Sequence, residues 1–216
     1  MGAPTRLGRA DRLPPVVGAL LVSNILIYLS ERLLGEGIFD VLALWPMQPH
    51  VIGHALAPSR FEPWQLVSYA FLHGSPMHLL FNMYGLWLFG TPMENAWGSR
   101  RFALFYFVCV LGAGLTQLGV AALSGEVYPT IGASGGVYGI LLAFGMTYPN
   151  ARMLLLFPPV VLKAKWLVLF FGLFELWAGI TGSEAGVAHF AHLGGMAFGL
   201  ALLLYWRTPP PRHRLE

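Results

Sequence analysis

Apolar residues fill this chain in long blocks, separated by short clusters of glycine, proline and charge. Six blocks stand out, at about residues 16–33, 77–93, 102–124, 134–147, 160–180 and 187–206. A helix needs about 20 residues, with a range near 17–25, to cross a hydrocarbon core about 30 Å thick. Five blocks meet that length. The fourth does not, because Tyr148-Pro149-Asn150 stops it, leaving about 21 Å of helix. Such a helix starts below one membrane surface, so its lead-in from Tyr128 to Ala133 carries irregular backbone at membrane depth. A bilayer admits that only where protein covers it or water fills a cavity. The pattern predicts an all-α integral membrane protein of six transmembrane helices, with a short fourth helix starting at membrane depth and a site beside that start.

Composition agrees with the pattern: 56% of the 216 residues are hydrophobic and 11% charged, against about 25% charged in a soluble domain. The single Cys109 lies in an apolar block, which excludes a disulfide framework and a cysteine metal site and leaves a small packing residue. The first fifteen residues are rich in Arg, Pro and Gly, and no small-residue cleavage site follows the first block. That block therefore reads as a retained helix rather than a secretory leader. The expected organisation is a cytoplasmic tail over 1–15, one six-helix unit over 16–206 and a second cytoplasmic tail over 207–216, with no repeat and no second domain.

The placement of the thirteen basic residues sets the orientation. Arg6, Arg9, Arg12, Arg100, Arg101, Arg152, Lys163, Lys165, Arg207, Arg212 and Arg214 fall on one side. Only Arg32 and Arg60 fall on the other. By the positive-inside rule both termini are cytoplasmic. The connection over about 35–75, rich in Trp, Pro and Phe, is then external and reads as a structured loop lying at the interface.

This topology brings the polar starts of helices two, four and six to one face: His78 and Asn82, Ser134 and Tyr138, His189 and His192. Polar groups at such depth face the bundle interior or a watery cavity. His78 and Asn82 are four apart and share a helix face, as do Ser134 and Tyr138. Gly195 and Gly199 form a GxxxG pattern that lets another helix approach closely, and Gly135, Gly136 and Gly139 answer on helix four. That contact would bring His192 to Ser134. A serine becomes a nucleophile beside a base, and the first N–H groups of its helix, with His78 and Asn82, could hold a developing oxyanion. With no intramembrane Asp as a third member, the arrangement reads as a dyad.

Other readings of these residues stay open on spacing alone. Gly and Ser are common in membrane helix packing, and an intramembrane His is commonly a packing residue or part of a proton path. His189 and His192 could ligate a metal, although HExxH and HxxEH are absent and no carboxylate accompanies them in sequence. Glu175, inside helix five, is expected to snorkel or to pair with His or Trp donors across the bundle, with a gating or proton-linked role as the alternative. His73 reads as packing or as a residue that tunes the site's water.

Three segments carry a family resemblance. Phe61-Glu-Pro-Trp-Gln-Leu-Val-Ser-Tyr-Ala-Phe-Leu-His73-Gly with His78-Leu-Leu-Phe-Asn82, then Gly132-Ala-Ser134-Gly135-Gly-Val-Tyr138-Gly, then His189-Phe-Ala-His192-Leu-Gly-Gly-Met-Ala-Phe-Gly199 resemble the loop, nucleophile and base motifs of rhomboid proteases. The resemblance implies an intramembrane serine endopeptidase with Ser134 as nucleophile and His192 as general base. It implies His78, Asn82 and the Ser134 N–H as oxyanion donors, with Gly132, Gly135 and Tyr138 in support. It implies no cofactor and no metal, membrane-protein substrates cut in or next to their transmembrane segments near the external face, and no nucleic-acid partner. A bacterial inner membrane is the expected location. The competing readings are an inactive rhomboid-like chaperone or scaffold and, less closely, a proton-relay transporter, whose two similar halves are not found here.

Overall fold

The computed structural model describes residues 13–34, 37–47, 51–52, 55–56, 60–125, 128–155, 160–183 and 187–206. Both expected cytoplasmic tails, with Arg6, Arg9, Arg12, Arg207, Arg212 and Arg214, lie outside the described residues apart from Leu13 to Pro15. The protein is mostly helical. Four described helices are long and apolar enough to cross a membrane: α1 (Pro15–Leu34), α6 (Ser99–Ser124), α8 (Ala164–Thr181) and α9 (His189–Trp206). A fifth run goes from α4 (Pro76–Gly85) through a π-helical turn, Leu86–Gly90, into α5 (Thr91–Trp97). The short α7 covers Ser134–Thr147.

α6 lies at the centre, packed chiefly on α9 and α7. Its inner face alternates large rings with small residues: Phe102, Phe105 and Tyr106 are fully buried, and further along Gly112, Ala113 and Gly114 bring other elements close. Glu94 on α5 caps α1 from outside that helix. Its carboxylate accepts the N–H groups of Val16 (3.0 Å) and Val17 (2.7 Å) and the hydroxyl of Ser99 (2.6 Å). These are first-turn donors with no acceptor inside their own helix, so a buried charge is fully partnered and α1 is joined to the rest.

The described residues of the connection over about 35–75 form short elements. The connection contains α2 (Gly37–Leu42), a small antiparallel pair of β1 (Val51–Ile52) and β2 (Ala55–Leu56), α3 (Gln65–Ser68) and a 3-10 turn, Tyr69–Phe71. Buried Gln65 pins it: Oε1 accepts from the Trp45 and Glu62 N–H groups, and Nε2 donates to the Val41 and Arg60 carbonyls. The Tyr69 hydroxyl reaches the Val110 carbonyl of α6 at 2.7 Å. Leu44 and Thr130 exchange backbone hydrogen bonds of 3.0 and 2.9 Å, so this connection also holds the lead-in to α7.

One expected helix start is replaced by a strand. The fifth block does not begin its helix at 160. Residues 160–163 form β4 (Val160–Lys163), paired antiparallel with β3 (Arg152–Leu155), and the helix begins at Ala164. Adjacent Val160 and Val161 favour extended backbone, and strand pairing satisfies donors that a first helical turn would leave open. The sixth helix opens at His189, where the sequence placed its polar start, with the Val187 carbonyl accepting the His189 N–H at 3.0 Å.

Candidate active site

Ser134 is the first residue of α7 and half-buried. The chain reaches it through Gly132, whose φ of 120° suits glycine alone, and whose N–H is held by the Tyr69 carbonyl at 2.9 Å. A side chain at Gly132 would also approach His78, its Cβ 2.7 Å from Nε2. His78 stands in the first turn of α4, where Ser75 at the N-cap accepts the His78 N–H (3.1 Å) and Pro76 opens the helix.

Glycines bring α9 against α7. A Cβ on Gly195 would overlap the Gly135 carbonyl oxygen, and one on Gly139, which meets Cys109 of α6 first, would also lie 3.0 Å from the Gly195 carbonyl. Gly199, read from sequence as part of the same contact, instead faces α6 first. Its Cβ would lie 3.0 Å from Cys109 Sγ and from Phe105 Cζ, with the Gly139 Cα at 3.6 Å. Gly136 likewise faces Tyr106 of α6. The helical period turns residues four apart by about 40°, enough to pass from one neighbour to another in a crowded bundle.

The backbone approach at Gly195 sets His192, one turn earlier, beside the start of α7. His192 Nε2 and Ser134 Oγ are 2.7 Å apart, although the residues are 58 positions apart in sequence. Tyr138, one turn into α7, stacks on the imidazole with ring centroids 4.3 Å apart and planes 4° from parallel. A cavity of about 410 Å³ opens here, walled by His78, Gly132, Ser134, Ala191 and His192 among others. Asn82 stands apart from that wall. It is buried on α4, and its Nδ2 donates to the His78 carbonyl at 2.9 Å. His73 lies behind His78, ring edge to face at 5.0 Å. Burial first, and the His78 ring second, push the His73 imidazole down to about 4, so it is neutral at pH 7.

Residues 60–208 match the family model described as the Rhomboid domain. The chain belongs to the rhomboid family. Over 196 residues, 89% of its length, this rhomboid is 28% identical to the rhomboid protease GlpG of Salmonella choleraesuis and 27% identical to that of Salmonella newport. The alignment covers 63% of each relative, so the chain spans less than two thirds of the curated relatives it matches.

Sequence reasoning left one polar residue without a place in the site. Glu175 of α8 is buried beside His192: Oε2 lies 2.7 Å from His189 Nδ1 and 2.9 Å from His192 Nδ1, and Oε1 accepts the Tyr138 hydroxyl. The histidines thus do have a carboxylate companion, fourteen or more positions away in sequence. The contact with His192 is close in distance, but the oxygen lies off the ring N–H axis. The pairing of Glu175 with histidine across the bundle was one of its expected roles. Its neighbours could not be read from α8 itself, because they come from α7 and α9.

Glu175, His189 and His192 are also the described residues grouped closely enough to hold a metal ion, their ligand atoms within 4.8 Å of one another. Separations of 2.7 and 2.9 Å to one shared oxygen are hydrogen-bond spacings. Ligands about 2.0–2.1 Å from a tetrahedral zinc stand roughly 3.3 Å apart, so these groups stand closer together than zinc ligands do.

Proposed function

We propose that this rhomboid is an intramembrane serine endopeptidase working through a Ser134–His192 dyad, cutting peptide bonds in or next to the transmembrane segments of other membrane proteins. What carries the reading is the 2.7 Å approach of His192 Nε2 to Ser134 Oγ at the wall of a cavity that also contains His78. His192 takes the hydroxyl proton on Nε2 as Oγ attacks the scissile carbonyl carbon. The carbonyl electron pair moves to oxygen, and the oxyanion is met by the Ser134 N–H at the positive end of α7 and by the His78 ring. Asn82 spends one amide hydrogen on the His78 carbonyl and keeps a second to give. Collapse expels the amine, which leaves with the proton from Nε2. Water then repeats the cycle on the acyl-enzyme. No cofactor enters these steps.

In this reading residues 16–206 form one unit of six membrane segments: α1, the α4–α5 run, α6, α7, α8 and α9. α7 begins below the external surface, which lets water reach Ser134 while protein covers the irregular lead-in. Both termini are cytoplasmic and the cavity opens outward.

A serine-directed fluorophosphonate probe on the detergent-solubilised protein tests the reading. The label is expected on Ser134, and Ser134→Ala is expected to abolish both labelling and cleavage of a transmembrane substrate while the protein still folds. A folded chain whose Ser134 takes no label and cleaves nothing would instead be a scaffold.

A further inference from the structure

We propose that Glu175 is a positioning residue for the base, holding His192 from α8 so that the Ser134–His192 dyad works with its support. The proposal rests on the dyad reading above and adds a supporting residue to it.

A carboxylate only accepts hydrogen bonds. Glu175 is 3% exposed, and three potential donors from two other helices close on it: the Tyr138 hydroxyl, His189 Nδ1 and His192 Nδ1. The neutral imidazole has one N–H and one lone pair, and the partner of one nitrogen decides the state of the other. A carboxylate oxygen 2.9 Å from Nδ1 favours the proton there. The lone pair then belongs to Nε2, the nitrogen 2.7 Å from Ser134 Oγ. When Nε2 takes the serine proton the ring becomes a cation, and the same carboxylate stabilises it. The Nδ1 proton stays on Nδ1 throughout, so Glu175 transfers nothing.

The other contacts of Glu175 serve the same geometry. Tyr138 is held by Oε1 and stacks on His192, so one carboxylate restrains both the ring and the surface it lies on. His189 fixes Oε2 from the side, with its Nε2 3.1 Å from the Ser183 carbonyl. The off-axis approach of Oε2 to the His192 N–H is of the kind that tightens once substrate is bound.

Glu175→Gln tests this with little change of shape. Its amide can still accept from Tyr138, but it can also donate to Nδ1 and so move the proton to Nε2, where it blocks uptake from Ser134. The expected result is a fall in kcat of about 10²-fold or more, as for loss of the acidic partner in serine proteases. KM and melting temperature should stay close to parental, and fluorophosphonate labelling of Ser134 should slow by the same factor. Glu175→Asp keeps the charge on a shorter arm and should recover part of both rates. Parental kcat and labelling in Glu175→Gln would overturn the proposal, as would equal losses in Gln and Asp that track melting temperature. Loss of parental activity on chelation, restored by zinc, would also overturn it by making the cluster a metal site. If Glu175→Gln fails to fold, nitrogen-15 NMR of histidine-labelled parental protein decides, using the resonances missing from His192→Gln. A protonated Nδ1 supports the proposal and a protonated Nε2 overturns it. That measurement is independent of activity, whereas an unlabelled Ser134 in the parental protein counts against the dyad reading itself.

Discussion

Helices α8 and α9 have 18 residues each and lie side by side, yet the bundle holds them by different means. α9 buries a seam of small residues and histidines: His189, Ala191, His192, Gly194, Gly195 and Gly199, with Met196. α8 buries only Ala164, Leu167, Glu175 and Ala178, and it exposes Trp166, Phe170, Leu173, Trp177 and Ile180 among others. In lipid those exposed side chains provide no drive for association, because acyl chains are as apolar as they are. α9 is therefore fixed by backbone approach, where its glycines meet α7 and α6. α8 is fixed by a few side-chain contacts and by one buried carboxylate. Hydropathy alone rates the two alike, and the difference lies in which residues are small and where the single acid stands.

The strongest way to break this comparison is Gly195→Ala. One methyl group there would overlap the Gly135 carbonyl, which is main chain and has no rotamer to escape into. The first turn of α7 must shift, and Ser134 is its first residue. A displacement near 1 Å can cost about 10²-fold in rate, and overpacking commonly costs about 1–3 kcal/mol of stability. Turnover is expected to fall by about 10²-fold or more and the melting temperature to drop with it, both measured in one detergent. Parental turnover in Gly195→Ala would mean that the glycine approach does not set the distance between Ser134 and His192.

Gly199 sharpens the same point at a smaller scale. Its would-be Cβ meets the side-chain atoms of Cys109 and Phe105, each at 3.0 Å, and these can give by a few tenths of an ångström. Gly199→Ala should therefore cost a few-fold in turnover at most, and Cys109→Ala in the same chain should restore it. Gly199→Leu exceeds what Cys109 can yield and should cost about tenfold or more, pushing α9 away from α6 rather than directly from α7. Equal losses in the Ala and Leu variants would show that Gly199 acts through backbone flexibility and not through space.

How much of this could be read beforehand follows from the range of each cue. Block lengths located the apolar segments, because hydropathy is a local property, and Pro149 ended α7 where the pattern placed its stop. Counting basic residues put His78, Ser134 and His192 on one face, and in the structure they surround one cavity. The β3–β4 hairpin was missed because Val160–Lys163 is apolar enough to pass for the start of a helix. The partners of Glu175 were expected by class, as His or Trp donors across the bundle, and His189 and His192 are of that class, but which residues they are was not legible. Each of its partners lies on another helix, and which residues of three helices face one another depends on rotations that no single helix records. That Gly199 meets Cys109 and Phe105 of α6 before Gly139 of α7 was hidden for the same reason. The signal that did exist was the acid itself, since a charge in a membrane helix needs partners, and Tyr138, His189 and His192 supply them.

The smallest effect, and the cleanest contrast, comes from placing the same methyl group on α8. Gly172 lies one turn before Glu175, half-buried, and a Cβ there would meet the Met196 methyl carbon at 3.6 Å and its sulfur at 4.0 Å. Those are ordinary van der Waals distances, and methionine is the side chain most able to adjust. Alanine also favours a helix over glycine by about 1 kcal/mol in water, since less backbone entropy is lost on ordering. Gly172→Ala should then leave turnover within about twofold of parental, with a melting temperature equal or slightly higher. Beside Gly195→Ala, it asks whether a methyl group matters because glycine was lost or because of what stands opposite. If Gly172→Ala costs as much as Gly195→Ala, α8 is packed as tightly as α9 and the distinction between the two helices fails. If it is neutral while Glu175→Gln is not, α8 tolerates added volume and depends on one carboxylate, as its contacts indicate.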